Sequence, residues 1–109
     1  VENPRFLSVT LTTANTNYNL LTLLQAVDTE FNDSPYQRCR RLAIQADFDA
    51  GAARFFVGNT DMTGSIFGVE IVATQSVLYE DEQDTIILNH VFLRCDTDSQ
   101  PMHVTVQFR

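Results

Sequence analysis

The chain has 109 residues, with fourteen acids against seven bases and a formal net charge of −7; every base is arginine, because lysine is absent. An acidic surface repels phosphate backbones and anionic headgroups, which argues against direct binding of nucleic acid or membrane. No apolar run approaches the about 18–20 residues of a membrane span, and no basic segment precedes an apolar one as in a signal peptide, so the chain reads as soluble. Its length suits one domain with a core that needs no obligatory metal or disulfide, so no cofactor is expected.

In chain order, residues 1–7 contain Asn3 and Pro4, show no helical period, and read as an extended arm leading to a single domain over residues 8–109, which opens with a strand at Ser8 to Thr12. The next stretch changes period. Leu20, Leu24, Val27 and Phe31 fall at i, i+4, i+7 and i+11, which predicts one amphipathic helix over residues 16–31. Thr16 or Asn17 would cap it, and Asp33-Ser34-Pro35 would stop it, because proline disfavours helix in the residue before it. Such a stripe usually closes a β core, with partner binding as the alternative.

From Arg38 onward the pattern is β. Leu42, Ile44 and Ala46 alternate with Arg41, Ala43 and Gln45, and the turn-rich residues 47–51 lead to a second strand at 53–57, predicting a hairpin. A loop from Gly58 to Gly64 precedes short strands at 67–72 and 76–79, and a second loop at 80–84 precedes strands at 85–88 and 91–95. Residues 96–101 then turn the chain into Val104-Thr105-Val106-Gln107-Phe108, predicting a closing hairpin. Strands of four to seven residues at this spacing predict a mainly β fold, an antiparallel β-sandwich or barrel with one N-terminal helix.

Residues that carry chemistry are present without a motif to assemble them. Acids gather at turns, Asp47 with Asp49, Glu80 to Asp84, and Asp96 with Asp98, but none matches a calcium loop, so they read as turn-forming side chains. His90 and His103 form no short-range ligand pair and read as strand surface residues. Cys39 and Cys95 match no zinc or redox spacing; they read as free thiols, with a disulfide open if their strands are neighbours. Arg38, Arg40 and Arg41 bracket Cys39 and suit carboxylates, either on a partner or on this chain. No nucleophile elbow or phosphate-cradling glycine loop is present, so an enzyme is not expected.

The run SVTLTTANT at residues 8–16, followed by Tyr18-Asn19-Leu20-Leu21 and a leucine-rich segment, resembles the opening of small virion proteins of tailed phages. The runs RFFVGNTDMT (54–63), FGVEI (67–71) and VFLRCDTDSQPMHVTVQF (91–108) are similar to the later pattern of those proteins. Within that group the chain most resembles capsid cement or decoration proteins, which implies a jelly-roll-like sandwich that binds the outside of the shell and ties major capsid subunits together. It also implies a homo-oligomer, assembled in the host cytoplasm and resident on the virion exterior. A head-fibre or tail accessory protein is the alternative within the group, and a carbohydrate-binding sandwich using Tyr18, Tyr36 or Tyr79 is the alternative outside it.

Exposure and length nominate the capsid-contacting residues. The arm contributes Val1, Glu2, Asn3, Pro4, Arg5 and Phe6, and the arginine cluster adds Arg38, Arg40 and Arg41. The loop after Gly58 adds Asn59, Thr60, Asp61 and Met62, and the acidic loop 80–84 is a further candidate element.

Overall fold

Strand alternation from Arg41 to Ala46 buries Leu42, Ile44 and Ala46 and leaves the residues between them outside, as a half-buried strand requires. The computed structural model describes residues 4–59, 68–80 and 86–108. Their strands are β1 (Arg5–Leu11), β2 (Tyr18–Asn19), β3 (Arg38–Cys39), β4 (Arg41–Ala46), β5 (Phe55–Gly58), β6 (Val69–Ile71), β7 (Ser76–Glu80), β8 (Ile86–Ile87), β9 (Phe92–Cys95) and β10 (Gln100–Gln107). Helix α1 (Leu20–Val27) follows β2 directly.

One rule organises the pairing. β1 lies antiparallel to β10, β2 to β9, β3 to β8, β4 to β7 and β5 to β6. The chain is therefore a long antiparallel ribbon doubled back at its midpoint, and two further pairings, β10 with β4 and β9 with β5, roll it up. The result is two four-stranded sheets, β1-β10-β4-β7 and β2-β9-β5-β6. This is jelly-roll wiring.

The same rule overturns both expected hairpins. β4 and β5 stand in opposite sheets, as do β9 and β10, so the turns at 47–51 and 96–101 arch across the sandwich. Within the first arch the Ala50 N–H donates to the Asp47 carbonyl and the Ala53 N–H to the Ala50 carbonyl, with Gly51 at φ 63°. At the second, the Ser99 N–H donates to the Thr12 carbonyl and the Arg54 N–H to the Asp96 carboxylate. These turns are fixed by other strands. A strand's partner in a rolled ribbon is the one equally far from the midpoint, not its neighbour in sequence.

Two boundaries also move. β1 starts at Arg5, so residues 5–7 of the expected arm are paired strand, with Arg5 opposite Val106. The expected sixteen-residue helical stretch is shorter at both ends: Tyr18 and Asn19 pair with β9, and the Asn19 side chain caps α1 by accepting the Thr22 N–H. At the far end Asp28 adopts extended geometry, and its carboxylate accepts the Glu30 N–H to start a separate 3-10 turn, Thr29–Asn32. Val27 is consequently half exposed, whereas Phe31 reaches the core from that new turn.

The sheets enclose Val9, Leu11, Leu42, Ile44, Met102, Val104 and Val106 from one side and Phe55, Val57, Leu93 and Cys95 from the other. Both cysteines are buried, and burial pushes the Cys95 thiol up from its ordinary pKa. One end of the sandwich is plugged by aromatic rings, with Phe31 at 6.0 Å and Tyr36 at 5.1 Å from Phe108. No helix among the described residues is long and apolar enough to cross a membrane.

Candidate functional site

The outward residues of the β1-β10-β4-β7 sheet form a flat face whose composition departs from that of the chain. Register sets them in rows across the sheet. Phe6, Thr105, Ala43 and Leu78 make one row, and Ser8, His103, Gln45 and Ser76 the next. Thr10 and Pro101 begin a third row, and Gln107, Arg41 and Glu80 form the opposite margin. Of these outward residues only Arg41 and Glu80 carry a full charge, and they pair with each other at 3.5 Å. A chain with a net charge of −7 thus leaves one whole sheet face nearly neutral. Phe6 and Leu78, at either edge of the same row, are 79% and 56% exposed.

In the second row, the Ser8 hydroxyl lies 3.0 Å from His103 Nδ1, and His103 Nε2 lies 2.7 Å from Asp47 Oδ1. Strand pairing places Ser8 directly opposite His103, and Asp47 follows the last residue of the neighbouring β4. The His103 hydrogen bond holds the Asp47 carboxyl below its ordinary pKa. An ionised Asp47 accepts only, so Nε2 carries the proton of the neutral ring; Nδ1 is then the acceptor, and Ser8 donates to it. In the sequence His103 reads as a plain surface residue, because Ser8 and His103 are 95 positions apart. The register between the first and last strands was the missing signal.

The expected contact residues divide. Pro4 and Phe6 are exposed, and Asn59 is exposed at the end of β5. Arg5 is spent internally: it shares the inward parity of Val9 and Leu11, and its guanidinium bonds Asp28 at 3.2 Å and Glu30 at 2.7 Å. It also stacks 5.0 Å from the Tyr36 ring and 5.7 Å from Phe108. Arg41 pairs with Glu80, whereas Arg38 and Arg40 flank buried Cys39 on the solvent side. Val1, Glu2, Asn3, Thr60, Asp61 and Met62 lie outside the described residues, as do positions 81–84 of the acidic loop.

Three of the acids seen at turns bond to the backbone. Asp98 accepts the Ala14 N–H at 2.6 Å, Asp96 the Arg54 N–H at 2.9 Å, and Asp47 the Asp49 N–H at 3.2 Å. Among the described residues no three His, Cys, Asp or Glu side chains are grouped to hold a metal ion. The tyrosines proposed for sugar stacking all pack against the core, and the Tyr18 hydroxyl is held by Thr12 and the Thr13 N–H, which lowers its pKa.

No family model matches the chain, and no curated protein matches it. Among solved structures it is similar to the IMPa metallopeptidase from Pseudomonas aeruginosa, with a TM-score of 0.47 and 19% identity, covering 97% of this chain and 12% of that one. A second structure, of IMPa from Pseudomonas aeruginosa in complex with an O-glycopeptide, gives a TM-score of 0.47 and 18% identity over 96% of this chain and 12% of that one. The chain therefore spans 12% of the length of either structure.

Proposed function

We propose that this domain is a phage capsid cement or decoration protein, which docks on the shell exterior through the neutral face of its β1-β10-β4-β7 sheet and ties major capsid subunits together. One observation carries the proposal: the Phe6-Thr105-Ala43-Leu78 row lies open on a face almost free of charge in an otherwise acidic chain. Water leaves such a face at little electrostatic cost, and interfaces are depleted of charge at their centres.

Size sets how the face would work. Four strands about 4.8 Å apart and about six residues long give a face of roughly 400 Å², half of what a stable one-to-one interface buries on each partner. A single contact of that area is weak. Many copies on a lattice, each bridging subunits, make the small contacts add through valency, which is how a cement resists expansion or rupture. A head-fibre or tail accessory protein would use the same face on a different virion subunit. The carbohydrate reading loses support, since its three tyrosines pack against the core.

The test mixes this protein with purified particles lacking it, then measures retention by sedimentation and the temperature of shell rupture. The cement reading expects retention and a higher rupture temperature, both lost in Phe6→Asp and Leu78→Asp. Retention on tails or fibres without a change in rupture would favour the accessory role. No retention on any particle component would refute docking altogether.

A further inference from the structure

Ser8 and His103 stand in the second row of the same face, and Asp47 reaches His103 from the turn after β4. Ser8, His103 and Asp47 are the donor, base and carboxylate of a serine nucleophile, joined in the order that serine hydrolases use but with the two ring nitrogens exchanged. We infer that Ser8 is an acyl-accepting nucleophile, with His103 as its general base and Asp47 as the positioning residue. Its donors are esters with an apolar acyl group and a leaving group that departs without acid assistance.

Each part of this assignment has a structural cause. Ser8 and His103 sit on paired strands, and antiparallel opposition fixes their β-carbons about 5 Å apart, so the 3.0 Å contact rests on backbone register instead of a mobile loop. Asp47 occupies Nε2, which leaves the Nδ1 lone pair aimed at the Ser8 hydroxyl. The His103 side chain is 43% exposed and Asp47 only 16%, so the base is reachable while its orienting carboxylate is largely sheltered. Beside Ser8 on the same strand face stands Phe6, 79% exposed, against which an apolar acyl group can rest.

The reaction balances with these groups alone. Ser8 Oγ attacks the ester carbonyl as its proton passes to His103 Nδ1, and the resulting imidazolium is held by Asp47. The new Oγ–C bond forms, the bond from that carbon to the leaving oxygen breaks, and the leaving group departs as an anion. His103 returns its proton to solvent, leaving an acyl-serine.

Geometry also sets the limit. Ladder N–H groups lie in the plane of a sheet, so none rises from the face to stabilise an oxyanion, the element that contributes most in efficient acyl transfer. Only the general-base contribution remains, on the order of 10² to 10⁴ in rate. That magnitude suits acylation by activated aryl esters and leaves amides untouched.

The folded protein is incubated with p-nitrophenyl acetate, release of p-nitrophenolate is followed, and acetylated peptides are located by mass spectrometry. One equivalent of acetyl on Ser8 is expected, with Ser76 unlabelled; Ser76 is an internal control on the same face, in register with Gln45 instead of a histidine. His103→Gln and Asp47→Asn should each slow Ser8 acylation at least tenfold, on the basis of that same general-base contribution. Nitrogen-15 NMR of the imidazole should show Nε2–H in the wild type and lose that preference in Asp47→Asn, which a purely structural carboxylate would not alter. Equal labelling of Ser8 and Ser76 in the wild type overturns the inference even if every variant misfolds, and so does an unchanged rate in a folded His103→Gln.

Discussion

Leu11→Ala and Phe6→Ala change opposite faces of the same strand, and their difference measures the register on which the sandwich rests. Leu11 has no solvent exposure, whereas Phe6 is 79% exposed. Truncating a buried leucine removes transfer energy and leaves a cavity, together about 2–5 kcal/mol. Against a total stability of about 5–15 kcal/mol for a domain this size, that is a large fraction. With a urea slope near 2 kcal/mol per molar, a loss of about 3 kcal/mol lowers the unfolding midpoint by about 1.5 M. Phe6→Ala should move it by no more than about 0.5 kcal/mol, the range of ordinary surface changes. Urea titration followed by far-UV circular dichroism reads both. A one-residue slip of β1 against β10 would turn Phe6, Ser8 and Thr10 inward, so equal or inverted losses would refute the register and, with it, the pairing of Ser8 with His103.

Gly68→Ala should cost about 1–3 kcal/mol or more, because an added β-carbon would collide with the Val57 carbonyl and backbone cannot swing aside; thermal melting checks this. Arg5→Met should cost about 1–2 kcal/mol, from two partly exposed ion pairs and the stacking on Tyr36 and Phe108, and the gap from wild type should narrow at high salt. Acid should selectively weaken the Asp47 contact. Its carboxyl is lower in the folded state than when unfolded, so the stability it contributes is full above the ordinary carboxylate range and lost as pH falls through the lowered value. Asp47→Asn should therefore converge with the wild type in acid unfolding curves. Cys39 and Cys95 should resist iodoacetamide until denaturant is added, since both are buried and the Cys95 thiol is harder to ionise.

How much of this was legible in the sequence follows from what is local. The alternation at Leu42, Ile44 and Ala46 depends on one strand's two faces, and it reads correctly without knowing the partner. The same holds for the mainly β class that the spacing predicted and the jelly-roll form that the resemblance implied, although the two short strands β2 and β3 were not expected as separate strands. Turn residues at 47–51 and 96–101 announce a reversal, yet a hairpin and an arch between sheets require the same glycines and aspartates, so the two were indistinguishable. The helical period running through Leu20, Leu24, Val27 and Phe31 was misleading for a related reason. Phe31 is buried, but Asp28 restarts the chain in a different turn, and burial alone does not reveal that break.

Arg5 was unreadable as an inward residue because its charge suggests solvent. Only the convergence of Asp28, Glu30, Tyr36 and Phe108 makes its position tolerable. Ser8, His103 and Asp47 were still further from view: three ordinary polar residues, inside β1, inside β10 and just after β4, become one chain of hydrogen bonds through tertiary register alone.

The doubled-back ribbon has a consequence for biosynthesis. β10 is synthesised after every other described strand, yet it sits between β1 and β4 and, among the described residues, is the sole ladder partner of β1. Until it emerges, the opening strand waits with bare backbone and the cavity between the sheets has no lid, so closure waits for the far end of the fold and is slow, as distant pairings demand. A nascent or prematurely ended chain would present that unfilled slot to any strand nearby.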